Sequence, residues 1–398
     1  MRILYISDVY FPRVNGVSTS IRTFRRELAA LGHEITLIAP AYPEAVAADE
    51  AGIVRIASSR VPFDPEDRLM QARALRSVRA RLGRETFDIV HIHTPFIAHY
   101  TGVRIARELG IACVATYHTF FEEYLHHYIP VAPRLLTRAA ARAISRSQGN
   151  EVDALIVPSR AMLGMLTTYG VQKPMQILPT GIPLAEFNGG DGAAFRRRHG
   201  IPADCPLLLH VGRTAFEKNI DFLLHAFKVV VARHPLARFV VTGEGPALGQ
   251  LKRLARRLEI EANVHFIGYL ERSRELLDCY RAADVFMFGS KTETQGLVLL
   301  EAMATDLPIV ALAELGALDI LETQRGALIA PADADTFAAL VMRVLESPAL
   351  KRKLALEAHD FARQWEAREF AVRLAEFYAQ CAGARVASPS RHVFVKHS

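Results

Sequence analysis

Short apolar runs alternate with stretches of helical period along nearly all of the 398 residues. In the first half, runs at 2–7, 34–39, 88–93, 111–117, 154–158 and 176–178 read as strands. Between the first two, Val17, Ile21, Phe24, Leu28 and Leu31 recur in steps of four and three, one buried helical stripe that Gly32 closes. A further helix is expected around Thr101 to Leu109. The pattern then breaks into turn chemistry at 179–191, and restarts with strands at 207–211, 238–242, 264–267, 284–288, 308–312 and 327–329. After Asp335 the chain reads as helical, and its last helix sets Phe370, Leu374, Phe377 and Tyr378 on one face, expected to pack across both domains. The alternation predicts an α/β protein of two doubly wound, Rossmann-like domains facing a cleft. The boundaries expected are 1–182, 183–366, a crossover helix at 367–385 and a flexible basic tail at 386–398.

Composition narrows the class. Hydrophobic residues make up 51% and charged residues 23%, enough for full-sized cores. Cys113, Cys205, Cys279 and Cys381 lie far apart with no CxxC pair, which argues against a disulfide framework or zinc site and suits a reducing cytoplasm. The start of the chain lacks a signal-peptide pattern, and no apolar run is long enough to span a bilayer. The net charge of +6 fits anionic small molecules or an anionic membrane surface, and no nucleic-acid motif accompanies it.

The most telling segment runs from Glu293 through Gly296 to Glu301. Glu293 falls in a strand-to-helix loop and Glu301 on the second helical turn. Between them the N–H groups of a helix start, at Gly296, Leu297 and Val298, make a place for an anion. Carboxylates on either side accept hydrogen bonds from hydroxyls, as a sugar or ribose offers. Arg213 and Lys218 follow the first strand of the second domain and suit a diphosphate, one as a planar fork and one as a mobile point charge. Asn15 and Gly16 form the matching loop of the first domain, without a G-x-G-x-x-G fingerprint. His118 ends a strand and is placed to bind a sugar hydroxyl or carry a proton. Gly243, Gly268 and Tyr269 follow consecutive strands on the same edge as Arg213, where glycine-rich backbone wraps a base and ribose. His91 and His93 share a strand face as metal ligands do, but no third ligand stands at a suitable spacing. Asp333 and Asp335 resemble a metal-binding D-x-D, yet their position before a helix reads as N-capping.

Taken in order, these motifs resemble a retaining glycosyltransferase of the GT-B fold, family 4, over nearly the whole chain. The resemblance implies a donor nucleotide diphosphate sugar, no cofactor and no required metal. It implies that Gly16 and the amides near Gly296 to Val298 meet phosphate, and that Arg213 and Lys218 hold the leaving diphosphate. Glu293 would bind the transferred sugar, Glu301 the ribose, and His118 would sit at the donor sugar. Gln295 departs from the family's usual Phe, which points to altered donor selectivity.

For the acceptor, the aromatic stretch 117–129 precedes Arg134, Arg138, Arg142 and Arg146, spaced by four on a helical pattern. That combination suits an anionic membrane surface and resembles the acceptor region of lipid glucosyl- and mannosyltransferases. The expectation is a hexosyltransferase using UDP-glucose or GDP-mannose on a membrane lipid, cytoplasmic and peripheral on the inner face of the membrane. The rival readings are a non-hydrolysing nucleotide-sugar epimerase and a family 4 transferase acting on a soluble sugar or polysaccharide precursor.

Overall fold

The computed structural model of the chain describes residues 1–43, 51–61, 64–82, 86–118, 134–272 and 274–387. The chain forms two compact units. Met1–Pro158, Met162–Pro179 and Arg368–Ser398 make the first, and Ser159–Ala161 with Thr180–Ala367 make the second.

The first unit carries strands β1 (Arg2–Ile6), β2 (Glu34–Pro40), β3 (Ile53–Ile56), β4 (Ser58–Val61), β5 (Asp64–Met70), β6 (Ile89–Ile92), β7 (Ala112–Thr116), β8 (Ala154–Val157) and β9 (Met175–Ile177). Seven of them form a parallel sheet in the order β3-β2-β1-β6-β7-β8-β9. The chain steps outward from β1, then returns to the other side of β1 at β6. Helices leaving these two strands therefore cover opposite faces and leave a crevice at their carboxyl ends. Periodicity alone misses β3, the antiparallel β4–β5 pair and the helix Ala72–Leu82. The β3 strand is four residues long, and β5 begins Asp64-Pro-Glu-Asp-Arg68, too polar to show an apolar run.

The second unit repeats the scheme with β10 (Leu207–Val211), β11 (Arg238–Thr242), β12 (Val264–Gly268), β13 (Val285–Phe288), β14 (Ile309–Ala311) and β15 (Ala327–Ile329). Their order is β12-β11-β10-β13-β14-β15, so the switch point lies between β10 and β13. Both sheet faces are buried. Leu207, Leu209, Phe286 and Phe288 enter one core layer, while Leu208, Val285 and Met287 enter the other, the period of two that a covered strand requires.

The last helix, Ala367–Ala387, buries Phe370, Leu374, Phe377 and Tyr378, the face read from the sequence. From Arg368 onward it belongs to the first unit. Tyr378 OH lies 3.0 Å from Tyr5 OH on β1, and Arg385 Nη1 donates to Asp153 at 2.9 Å. Asp333 caps the helix Ala334–Glu346, its carboxylate accepting from Thr336 N at 2.7 Å. No described helix is long and apolar enough to cross a membrane.

Candidate active site

In the second unit two loops meet at the switch point, one after β10 and one after β13. Asn219 takes a left-handed turn (φ 55°), and its Nδ2 donates to Gly289 O at 3.0 Å. The hydroxyls of Ser290 and Thr292 donate to Glu217 O at 3.3 and 3.4 Å. So tied, Lys218 Nζ donates to Glu293 Oε1 at 2.5 Å, with both side chains about one-fifth exposed (22% and 18%). Two residues 75 positions apart thus form one cation–carboxylate pair at the sheet edge where ligands bind. Arg213 stands half-buried in the same β10 loop.

Glycines let these loops approach closely. A Cβ at Gly243 would stand 2.0 Å from Gly212 O, and Gly243 N donates to Gly268 O at 2.7 Å. The glycine expected to wrap a base is therefore required first for stacking the loops after β10, β11 and β12. Tyr269, just beyond, is 41% exposed. Gly316, which sequence reasoning missed, supports the Glu293 loop: its N donates to Glu293 O at 2.9 Å, and a Cβ there would meet Thr294 O at 1.9 Å.

Gly296 (φ 96°) starts the helix Leu297–Ala304, and no side chain caps its first N–H groups. The amides of the first turn are thus presented at the loop, with Leu297 and Val298 half-buried. Glu301, on the second turn, is only 2% exposed. Its Oε1 pairs with the Arg272 guanidinium, and its Oε2 accepts from Tyr280 OH at 2.9 Å. Arg272 was not found from sequence.

In the first unit Asn15 caps the helix Gly16–Ala30, Oδ1 accepting from Ser18 N at 2.8 Å. A Cβ at Gly16 would meet nothing within 4 Å, so no neighbour demands glycine there. His118 follows β7 and belongs to a column of rings. His93 and His118 stack with centroids 5.6 Å apart, and His91 and His93 lie 4.0 Å apart. Both nitrogens of His91 are engaged, Nδ1 by Tyr378 OH (2.5 Å) and Nε2 by Thr116 Oγ1 (2.7 Å), which leaves no lone pair for a metal. His93 Nδ1 lies 3.3 Å from His118 Nε2, while His93 Nε2 is buried with no partner. A buried orphan acceptor costs less than a buried orphan N–H. The network therefore assigns the His93 proton to Nδ1, makes His118 Nε2 the acceptor, and leaves the His118 proton on Nδ1.

The family models fit this layout. The description Glycosyltransferase Family 4 matches residues 14–186, and Glycosyl transferases group 1 matches 191–361. The alpha-monoglucosyldiacylglycerol synthase of Streptococcus pneumoniae is 36% identical over 318 residues, 78% of this chain and 71% of that protein. The chain is a family 4 glycosyltransferase. A GDP-mannose-dependent alpha-mannosyltransferase of Mycobacterium tuberculosis is 29% identical, covering 83% of this chain and 84% of that one. In fold the glycosyltransferase is similar to sucrose-phosphate synthase from Thermosynechococcus elongatus (TM-score 0.79, 21% identity, 96% of this chain and 99% of that one). Its two parallel α/β units and returning C-terminal helix are those of the GT-B fold expected from the sequence.

Gln295 has a different place from the one expected. It is buried, its Oε1 accepting from Thr180 N at 2.9 Å and its Nε2 donating to Thr180 O at 2.6 Å. Its amide is taken up by the backbone N–H and C=O of one residue, Thr180, at the start of the second unit. In the glycosyltransferase the residue braces the backbone at the start of the second unit instead of presenting a polar group to the Glu293 loop.

The buried imidazoles give the enzyme an acid limit. Burial pushes His118 and His210 down to about 4, and holds His91 and His93 well below the ordinary histidine value. The unfolded chain takes up these protons near pH 6.5, the native protein only far lower. Stability is therefore full above about pH 6.5 and is lost as pH falls toward 4, by about 1.4 kcal/mol per unit for each such group. Thermal scans from neutral pH to about pH 5 are expected to show a steadily falling Tm. A flat profile would mean that these rings are already charged in the native protein.

Proposed function

We propose that this enzyme transfers a hexose, with retention, from a nucleotide diphosphate sugar to the hydroxyl of a membrane lipid. The Lys218–Glu293 pair carries the donor half of this reading. A bound donor would draw Lys218, with Arg213, onto its diphosphate and leave Glu293 for the hydroxyls of the sugar. The first-turn amides of Leu297–Ala304 would add fixed positive potential where the leaving group gains charge. The departing phosphate oxygen would take the acceptor's proton on the same face of the sugar, so the configuration would be kept. The relatives carry glucosyl and mannosyl in their names, and UDP-glucose and GDP-mannose are both donors to test.

The lipid half rests on the helix Arg134–Glu151. It buries Thr137, Ala141, Ser145 and Gln148 and turns Arg138, Arg142 and Arg146 outward. At its start Leu135 and Leu136 are 82% and 64% exposed. Arginines beside exposed leucines suit an anionic bilayer surface. The aromatic stretch that follows His118 lies outside the described residues from 119 to 133. The S. pneumoniae relative, named for a diacylglycerol product, supports the same class of acceptor.

Two measurements test the proposal. A thermal-shift panel of UDP, GDP, ADP and dTDP is expected to raise Tm with one base, because a ligand of the native state alone stabilises it. Donor incubated with diacylglycerol in anionic vesicles is expected to yield glycolipid, whereas an epimerised donor formed without acceptor would favour the isomerase reading. Transfer to soluble sugars alone would defeat the lipid assignment.

A further inference from the structure

Glu301 is held at both oxygens by residues that the motif does not contain. Arg272 comes from the loop after β12 and Tyr280 from the helix Glu275–Ala282, and both meet the carboxylate below the donor loop. A carboxylate has about four lone-pair directions. Two are occupied here, and the pair of contacts fixes the plane of the group. With Glu301 2% exposed, the carboxylate has little freedom to turn toward a ligand in another way.

We propose that Arg272, with Tyr280, is a positioning residue that locks Glu301 as a reader of the two adjacent hydroxyls of a ribose. This rests on the donor-site reading above. The two remaining lone-pair directions suit the two hydroxyls of a vicinal diol, each donating one hydrogen. A 2′-deoxyribose offers one hydroxyl and leaves one direction of a buried carboxylate unmet. The lock therefore makes the site selective for ribonucleotides. Tyr280 adds to it as a neutral donor, since burial pushes its phenol well above the ordinary value and keeps its proton in place. Arg272 reaches Oε1 through Nη2 alone, a donor whose direction the rigid guanidinium plane fixes and the rotatable ammonium of a lysine does not.

The test compares UDP with 2′-deoxy-UDP, and GDP with 2′-deoxy-GDP, by calorimetry on wild type, Arg272→Lys and Arg272→Gln. Wild type is expected to bind the ribo form about tenfold or more tightly, the worth of one hydrogen bond to a charged group. In both variants the ratio is expected to fall toward unity. Arg272→Lys keeps a charge beside Glu301, so it carries the test if the glutamine variant fails to fold. A merely structural arginine would lower Tm and weaken both nucleotides alike, so an unchanged ratio in a folded variant overturns the lock. A wild type without ribo preference overturns it as well. Failure of wild type to bind either nucleotide would instead overturn the donor site itself.

Discussion

Replacing Lys218 with alanine is expected to lower kcat about 100- to 1000-fold, the usual loss when one preorganised charge or donor leaves a reaction centre. Lys218 is placed for this by its loop. The short turn Phe216–Lys218 and the left-handed Asn219 hold its ammonium at the carboxyl end of β10, beside Glu293. The same substitution is expected to cost only about 1 kcal/mol of folding stability, because a pair one-fifth exposed remains in contact with water. The loss at the transition state, about 2.7–4 kcal/mol, is the larger of the two. Turnover and Tm measured on the same preparation separate them. Lys218→Arg keeps the charge on a wider fork and is expected to recover part of the rate. A folded alanine variant within tenfold of wild-type turnover would remove Lys218 from the leaving-group site.

Changing Leu135 and Leu136 together to serine is expected to weaken binding to anionic vesicles about 100-fold, since burying each leucine is worth about 1.5 kcal/mol or more. Neither side chain contributes much to the fold, being 82% and 64% exposed, so Tm is expected to stay within a degree or two. Salt distinguishes the two contributions. The arginine part, about 1 kcal/mol per residue near the surface, fades as ionic strength rises. The leucine part persists. Sedimentation with anionic vesicles at low and high salt reads both, and equal sedimentation of wild type and double variant would place the membrane contact elsewhere or nowhere.

The alternation of strand and helix was plain in the sequence because buried parallel strands are apolar runs, and their helices keep a clear period. The motif from Glu293 to Glu301 was legible for a related reason: a strand end, a glycine and a helix start place its groups with little help from the rest of the chain. The β4–β5 pair was not legible, because it is polar and pairs only with itself. Arg272 was hidden in the charged run Glu271-Arg-Ser-Arg-Glu275, where no period marks one arginine over another. Its meaning comes from a carboxylate 29 positions away. Gln295 neighbours the Glu293 loop in sequence, but its side chain turns to the Thr180 backbone, 115 positions away, a contact no local pattern announces. His91 and His93 resembled half a metal site, and became part of a hydrogen-bonded column only when Tyr378, nearly three hundred residues later, arrived beside them.

That late arrival makes the first unit discontinuous in the gene. Residues up to Pro179 do not contain all of it, because the segment from Arg368 onward completes its core. A fragment cut at the linker would expose the β1 tyrosine and the imidazole column that Tyr378 covers. The long segment Thr180–Ala367 of the second unit is in this sense an insert within the first, its two ends joined by the Ile182–Glu366 bridge. The ribosome must therefore finish nearly the whole polypeptide before the unit begun first can close.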